Sequence, residues 1–114
     1  MSNTKVRLLA QPTSFVHHAE AIAERFGGSR VVPSMTENEV RYQQGITSVI
    51  EYVQQQSQNP LSAGFNETFL TGLLELYTAP AFDYGTPMAT IMFWAGAYHT
   101  LDSIVTYYKE EVRS

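Results

Sequence analysis

The chain has 114 residues, which suffices for one domain that buries a hydrophobic core without disulfide or metal support. It contains no cysteine, which excludes disulfides, thiolate metal sites and cysteine nucleophiles and is typical of the reducing cytosol. The formal net charge of −4 excludes the strongly basic composition typical of proteins that bind duplex nucleic acid.

The charges are unevenly distributed along the chain. Residues 1–41 carry five basic and four acidic side chains, whereas residues 42–108 carry five acidic side chains and no lysine or arginine. We therefore expect no nucleic-acid ligand, because such binding needs clustered basic side chains that displace counterions. The same acidic segment holds all seven tyrosines, together with Trp94, Phe65, Phe69, Phe82, Phe93, Met88 and Met92. This balance is typical of a protein interface, and an ordinary aromatic core is the alternative interpretation.

No segment of the sequence predicts export, membrane insertion or cofactor binding. The apolar run over residues 6–10 is too short for a signal peptide, and the longest apolar stretch, residues 88–98, falls short of the ~20 residues of a membrane-spanning helix. The glycine-rich run over residues 27–30 follows a predicted helix, whereas a phosphate-binding loop leads into one. We expect a cytoplasmic protein that binds no cofactor.

The first helix is predicted over residues 14–26, where apolar residues recur at the helical period and the pair Gly27-Gly28 supplies a left-handed stop. Two short runs, residues 6–9 and 30–32, lie on either side of this helix. They could pair as a minor two-stranded β element near the N-terminus.

The second and third helices are predicted over residues 37–57 and 66–78. Thr36 and Glu39 match a capping box, in which each side chain bonds a free backbone amide at the start of the second helix. Gly72, inside the third helix, costs about 1 kcal/mol of helix propensity relative to alanine. We expect it to mark a close approach by another helix.

The fourth helix is the most regular element and is predicted over residues 86–112, with Thr86 as its cap and Pro87 as its first helical residue. Apolar residues at alternating steps of three and four form a stripe along it: Ile91, Trp94, Tyr98, Leu101, Val105, Tyr108 and Val112. Such a stripe is typical of helices that pack at shallow angles, and the small residues at 95–97 would let another backbone approach. The sequence therefore predicts a single mainly α domain over residues 1–114, a compact four-helix fold with a long C-terminal helix.

Two groups of polar residues could carry chemistry. His17, Glu20 and Glu24 share one side of the first helix, but their order and spacing do not match a bundle metal site, so we interpret them as a solvated face and predict no metal. His18 lies nearer the apolar side and is expected to be a partly buried, hydrogen-bonded histidine. His99 and Asp102 lie one turn apart, so the carboxylate could orient the imidazole and raise its pKa as in a general base.

The preferred functional hypothesis is a small acidic interaction protein without catalytic activity, of the inhibitor, immunity or assembly-adaptor type. It would self-associate through the C-terminal helix and bind a macromolecular partner, a protein. The interface is predicted to comprise Ile91, Trp94, Tyr98, Leu101, Val105 and Tyr108. The alternative is a small-molecule-binding protein or enzyme with a pocket near Trp94, Tyr98, His99 and Asp102.

Overall fold

The computed structural model describes residues 14–113, which form four α-helices. Their bounds are α1 Phe15–Phe26, α2 Glu37–Ser57, α3 Glu67–Leu76 and α4 Met88–Tyr108, and α4 continues as a π-helical turn over Lys109–Arg113. The predicted mainly α, four-helix fold is thereby confirmed. The first of the two predicted strands, residues 6–9, lies outside the described residues. Residues 30–32 lie in the α1–α2 loop and form no strand with any described residue.

Side-chain caps start the first three helices where the sequence predicts them. The Ser14 hydroxyl accepts a hydrogen bond from the His17 amide, and Thr36 and Glu39 form the complete capping box. The Asn66 side chain accepts from the third amide of α3. Each bond satisfies a backbone donor that the first turn of a helix leaves free.

The start of α4 differs from the prediction. Pro87, with φ −60° and ψ 142°, is the N-cap residue, and helical geometry begins at Met88. Thr86 does not cap the helix, because its hydroxyl accepts from the Asp83 amide at 2.9 Å within the preceding turn. The Thr86 side chain, which the sequence predicts to cap α4, therefore closes the turn that precedes this helix.

α2 and α4 form the closest helix pair, and two glycines make this contact. Gly45 of α2 lies against the Phe93 carbonyl and the Ala97 amide of α4, and Gly96 of α4 lies against the Tyr42 carbonyl of α2. A Cβ atom at either glycine would overlap these backbone atoms. Another backbone therefore does approach the small residues at 95–97, as the sequence predicts, and this backbone is that of α2 in the same chain.

Contacts at the ends of the helices set their directions. The Phe65 ring, which follows α2, lies 5.4 Å from the Tyr108 ring at the end of α4, so α2 and α4 run in the same direction. α1 runs opposite to both, because Phe15 at its start stacks 5.7 Å from Phe65, whereas Gly27 at its end accepts a hydrogen bond from Gln43 near the start of α2.

The short helix α3 lies antiparallel to α4. Near its start, Glu67 forms a 3.5 Å ion pair with Arg113 at the end of the chain, and the Tyr77 ring after its last turn lies 6.3 Å from the Trp94 ring. The Tyr77 hydroxyl also forms a 2.9 Å hydrogen bond with the Ser48 hydroxyl of α2. The four helices thus alternate in direction along the chain.

One hydrophobic core joins all four helices. It comprises Phe15, Ala19, Ile22, Ile46, Val49, Ile50, Val53, Phe65, Leu70, Leu73, Ala97, Leu101, Ile104, Tyr107 and Tyr108. The buried face of α4 centres on residues 97, 100, 104 and 107, rather than on the predicted stripe. The reason is steric, since the nearest helix packs where α4 has its smallest side chains.

Gly72 does not mark a close approach, contrary to the prediction. It lies on the exposed side of α3, and no atom within 4 Å would meet a Cβ built there.

We expect Gly45→Ala and Gly96→Ala each to lower the free energy of unfolding by about 2–3 kcal/mol, because the added methyl group forces α2 and α4 apart. Gly72→Ala is the matched control and should raise it by about 1 kcal/mol, since alanine favours the helix and meets no atom. Urea denaturation followed by circular dichroism measures all three. Equal changes in the free energy of unfolding for all three substitutions would contradict a backbone contact between α2 and α4 at Gly45 and Gly96.

Candidate interaction surface

Large apolar side chains remain exposed along α3, the following loop and the start of α4. We call this set the α3–α4 surface, and it comprises Leu74, Leu76, Phe82, Tyr84, Met88 and Tyr98. Leu76 and Met88 are each 55% exposed, and Tyr84 is fully exposed. Single exposed apolar residues are common in monomers, but a run of them within one part of a fold indicates a contact surface.

Hydrogen bonds hold this surface in place. The Tyr98 hydroxyl accepts from the Ala79 amide at 2.7 Å, which fastens the loop to α4. Asp83 accepts from the Gly85 amide at 2.8 Å and closes a tight turn beneath Tyr84. The exposed rings are therefore displayed by an ordered loop, which lowers the entropy cost of binding.

The charged residues that this surface takes from residues 42–108 are all negative, whereas Lys109 and Arg113 lie near Leu74 at one end of it. Glu75 and Asp83 lie within it and both are exposed, and residues 42–108 contain no lysine or arginine. Basic side chains usually keep exposed apolar residues solvated, and none is present over this stretch of the chain.

The structure places the six predicted interface residues in three environments. Leu101 and Tyr108 are buried in the core, and Leu101 is only 1% exposed. Ile91, Trp94 and Val105 are half-buried, and Tyr98 is 40% exposed. Tyr77 packs against Trp94, and Leu70 and Leu74 of α3 lie beside Val105, so only part of the predicted interface is accessible.

A shallow apolar hollow of about 220 Å³ lies between α3 and the end of α4. Leu70, Leu74, Val105 and Tyr108 form its apolar part, and Glu67, Thr71, Lys109 and Arg113 form its rim. Its volume matches one large side chain rather than a cofactor.

The four residues of the alternative pocket, Trp94, Tyr98, His99 and Asp102, do not all line one hollow. Trp94 and Tyr98 pack against Tyr77 and the loop after it. His99 and Asp102 border a separate open hollow of about 290 Å³, together with Arg25, Phe26, Ser103, Thr106, Tyr107 and Glu110. Within residues 14–113, no hydrogen bond or ion pair joins His99 to Asp102. The Asp102 carboxylate therefore does not orient the His99 imidazole in this structure.

His17, Glu20 and Glu24 are all exposed on α1. The described part of the chain contains no group of three histidine, aspartate or glutamate side chains that could hold a metal ion. Within residues 14–113, no helix has both the length and the apolar composition needed to cross a bilayer.

His18 is buried and hydrogen-bonded, as the sequence predicts. It is 7% exposed, and its Nδ1 atom lies 2.8 Å from the Tyr107 hydroxyl. Burial lowers the pKa of His18 below its ordinary value of 6.5; nearby His17 lowers it further, and Glu111 partly opposes both. The native fold therefore favours the neutral imidazole.

Arg25 covers the solvent-facing side of the cluster that His18 and Tyr107 form. Its guanidinium carbon lies 5.2 Å from the centre of the Tyr107 ring and 5.3 Å from that of Phe26. It also forms a 4.0 Å ion pair with Glu111, and both side chains are about half exposed. The cluster thus fastens α1 to the end of α4.

Sequence reasoning missed Gly45, Leu74 and Leu76. An isolated glycine inside a strongly periodic helix is a signal for close backbone approach, and it applied to Gly45 as well as to Gly72. Leu74 and Leu76 both lie at helical spacings from other apolar residues of α3, since Leu74 follows Leu70 by four residues and Leu76 follows Leu73 by three. Periodicity therefore gives no signal that these two side chains are exposed.

No protein family matches this chain, and no curated protein or solved structure is significantly similar to it.

We expect the stability to fall as the pH drops from 7.5 to 5.5. Because the pKa of His18 is lowered in the folded state, that state binds fewer protons than the unfolded state. The contribution of the neutral imidazole to the free energy of unfolding is therefore complete above the ordinary pKa of 6.5 and is lost as the pH falls below it. Urea titrations at several pH values measure the slope of the free energy of unfolding against pH. His18→Gln should flatten it, and the exposed-histidine control His99→Gln should leave it unchanged; an unaltered slope in His18→Gln would refute the assignment.

Proposed function

We propose that this protein is a small interaction protein without catalytic activity, which self-associates through α4 and binds a macromolecular partner through its acidic, tyrosine-rich side. The observation that carries the proposal is the α3–α4 surface, where large apolar side chains stay exposed in a part of the chain that has no basic residue. Small acidic proteins of this kind act as inhibitors, immunity factors or assembly adaptors, and we propose a role of that type.

The accessible part of the α4 stripe supports self-association. Ile91, Trp94, Tyr98 and Val105 retain contact area after the helix has packed in its own fold. Burying apolar area of this kind stabilises an interface by roughly 25 cal/mol per Å² before the entropy cost of association. Leu101 and Tyr108 would support these contacts from within the core.

The composition of the surface supports a protein partner. Aromatic side chains provide large contact areas with few rotatable bonds, and methionine is likewise enriched at protein interfaces. Tyr84, Phe82 and Met88 have this chemistry and lie outside the core.

Light scattering coupled to gel filtration tests self-association. We expect a dimer or larger species at micromolar concentration, and Val105→Glu should shift it to monomer because a carboxylate is costly to bury at a contact. Val16→Glu, at a half-buried valine on α1, is the matched control and should leave the mass unchanged. Circular dichroism confirms that both variants fold. A strictly monomeric wild-type protein would remove this part of the proposal.

Affinity capture from the native host tests whether the protein binds a macromolecular partner. A specific partner should bind the wild-type protein and bind at least about tenfold less to Tyr84→Ala, because exposed aromatic anchors concentrate binding energy. Tyr84 is fully exposed, so the substitution should not affect folding. Glu24→Gln on α1 is the control. Capture that is equal for all three proteins would count against this surface.

A further inference from the structure

The outward face of α4 carries a stripe that runs from its first turn into the π-helical turn. Its members follow alternating steps of three and four residues, and they are Met88, Ile91, Ala95, Tyr98, Asp102, Val105 and Lys109. Each of them is exposed or half-buried. We call this set the outer stripe. Its spacing is that of a helix-packing seam, yet it faces solvent in the monomer.

The outer stripe has two charged members of opposite sign. Asp102 and Lys109 are seven residues apart, which places them on the same face at a separation of about 10 Å along the helix. Within residues 14–113, neither side chain forms an ion pair. Val105 lies between them along the stripe.

We propose that a second copy of this chain packs antiparallel on the outer stripe, with a two-fold axis between residues 105 and 106. In this register Asp102 of each copy faces Lys109 of the other, so one symmetric contact makes two ion pairs at once. The inference rests on the self-association proposed above and specifies its geometry.

Charge decides the direction of this pairing. A parallel, in-register pair would bring Asp102 against its own copy and Lys109 against its own copy, which repel. The antiparallel pair with its axis between residues 105 and 106 replaces both repulsions by attractions. Residues 98–113 then overlap, so the aromatic ring of Tyr98 meets the segment around Val112 and Arg113.

The chemistry around the proposed axis suits this register. Val105, next to the axis, is half-buried beside the apolar side chains of the hollow between α3 and α4. An apolar centre with charged groups on either side is the usual anatomy of a protein interface.

Charge reversal measured by sedimentation equilibrium at low ionic strength tests the register. Asp102→Lys and Lys109→Asp should each weaken the dimer at least about tenfold, because each creates two like-charge contacts. An equimolar mixture of the two variants should restore association, since every contact across the mixed pair is then complementary. The double variant with both substitutions should also dimerise like the wild-type protein.

The controls are Glu51→Lys and Arg30→Asp, which reverse exposed charges away from the outer stripe and should leave the dimer unchanged. Thermal melts establish that every variant folds. A wild-type dimer that is insensitive to both single reversals, or is not restored in the mixture and the double variant, overturns the antiparallel register while self-association stands. A wild-type protein that stays monomeric at all concentrations overturns both.

Discussion

The close contact of α2 with α4 at Gly45 and Gly96 determines how the rest of the chain is arranged. Because both glycines lack a side chain, α2 and α4 approach with their backbones in contact at Phe93 and Tyr42. This contact fixes which face of α4 points inward. Ile91, Tyr98 and Val105 of α4 are then left partly accessible to solvent. The exposed apolar surface is therefore a consequence of how the core packs.

α3 determines how much of that surface remains accessible. It is short and lies beside α4, held by the pairing of Glu67 with Arg113 at one end and the Tyr77 contacts at the other. It covers part of the α4 stripe but leaves Tyr98 and the loop after Tyr77 in solvent. Since the chain has no basic residue between positions 42 and 108, these apolar groups have only acidic neighbours within that segment. This chemistry is the basis on which we propose that the surface binds another protein.

One of the polar clusters has a structural role. His18, Tyr107 and Arg25 join α1 to the end of α4, and burial of the imidazole links the stability of this joint to pH. His99 and Asp102, which have the residue types of a catalytic pair, border an open hollow and do not contact each other through a hydrogen bond. They lie near each other in space because they are three residues apart in one helix.

The sequence by itself determined the helices, because caps, glycine stops and apolar periods are local signals. The capping box at Thr36 and Glu39, and the stop at Gly28 with its φ of +76°, are examples that act within a few residues. Only the tertiary structure decided which face of each helix is buried. The stripe through Leu101 and Tyr108 predicts an apolar side of α4, but periodicity cannot say that α2 packs on the small residues beside that stripe. The glycines at 45 and 72 look alike in sequence and differ in their neighbours, and neighbours are set by the packing of distant segments.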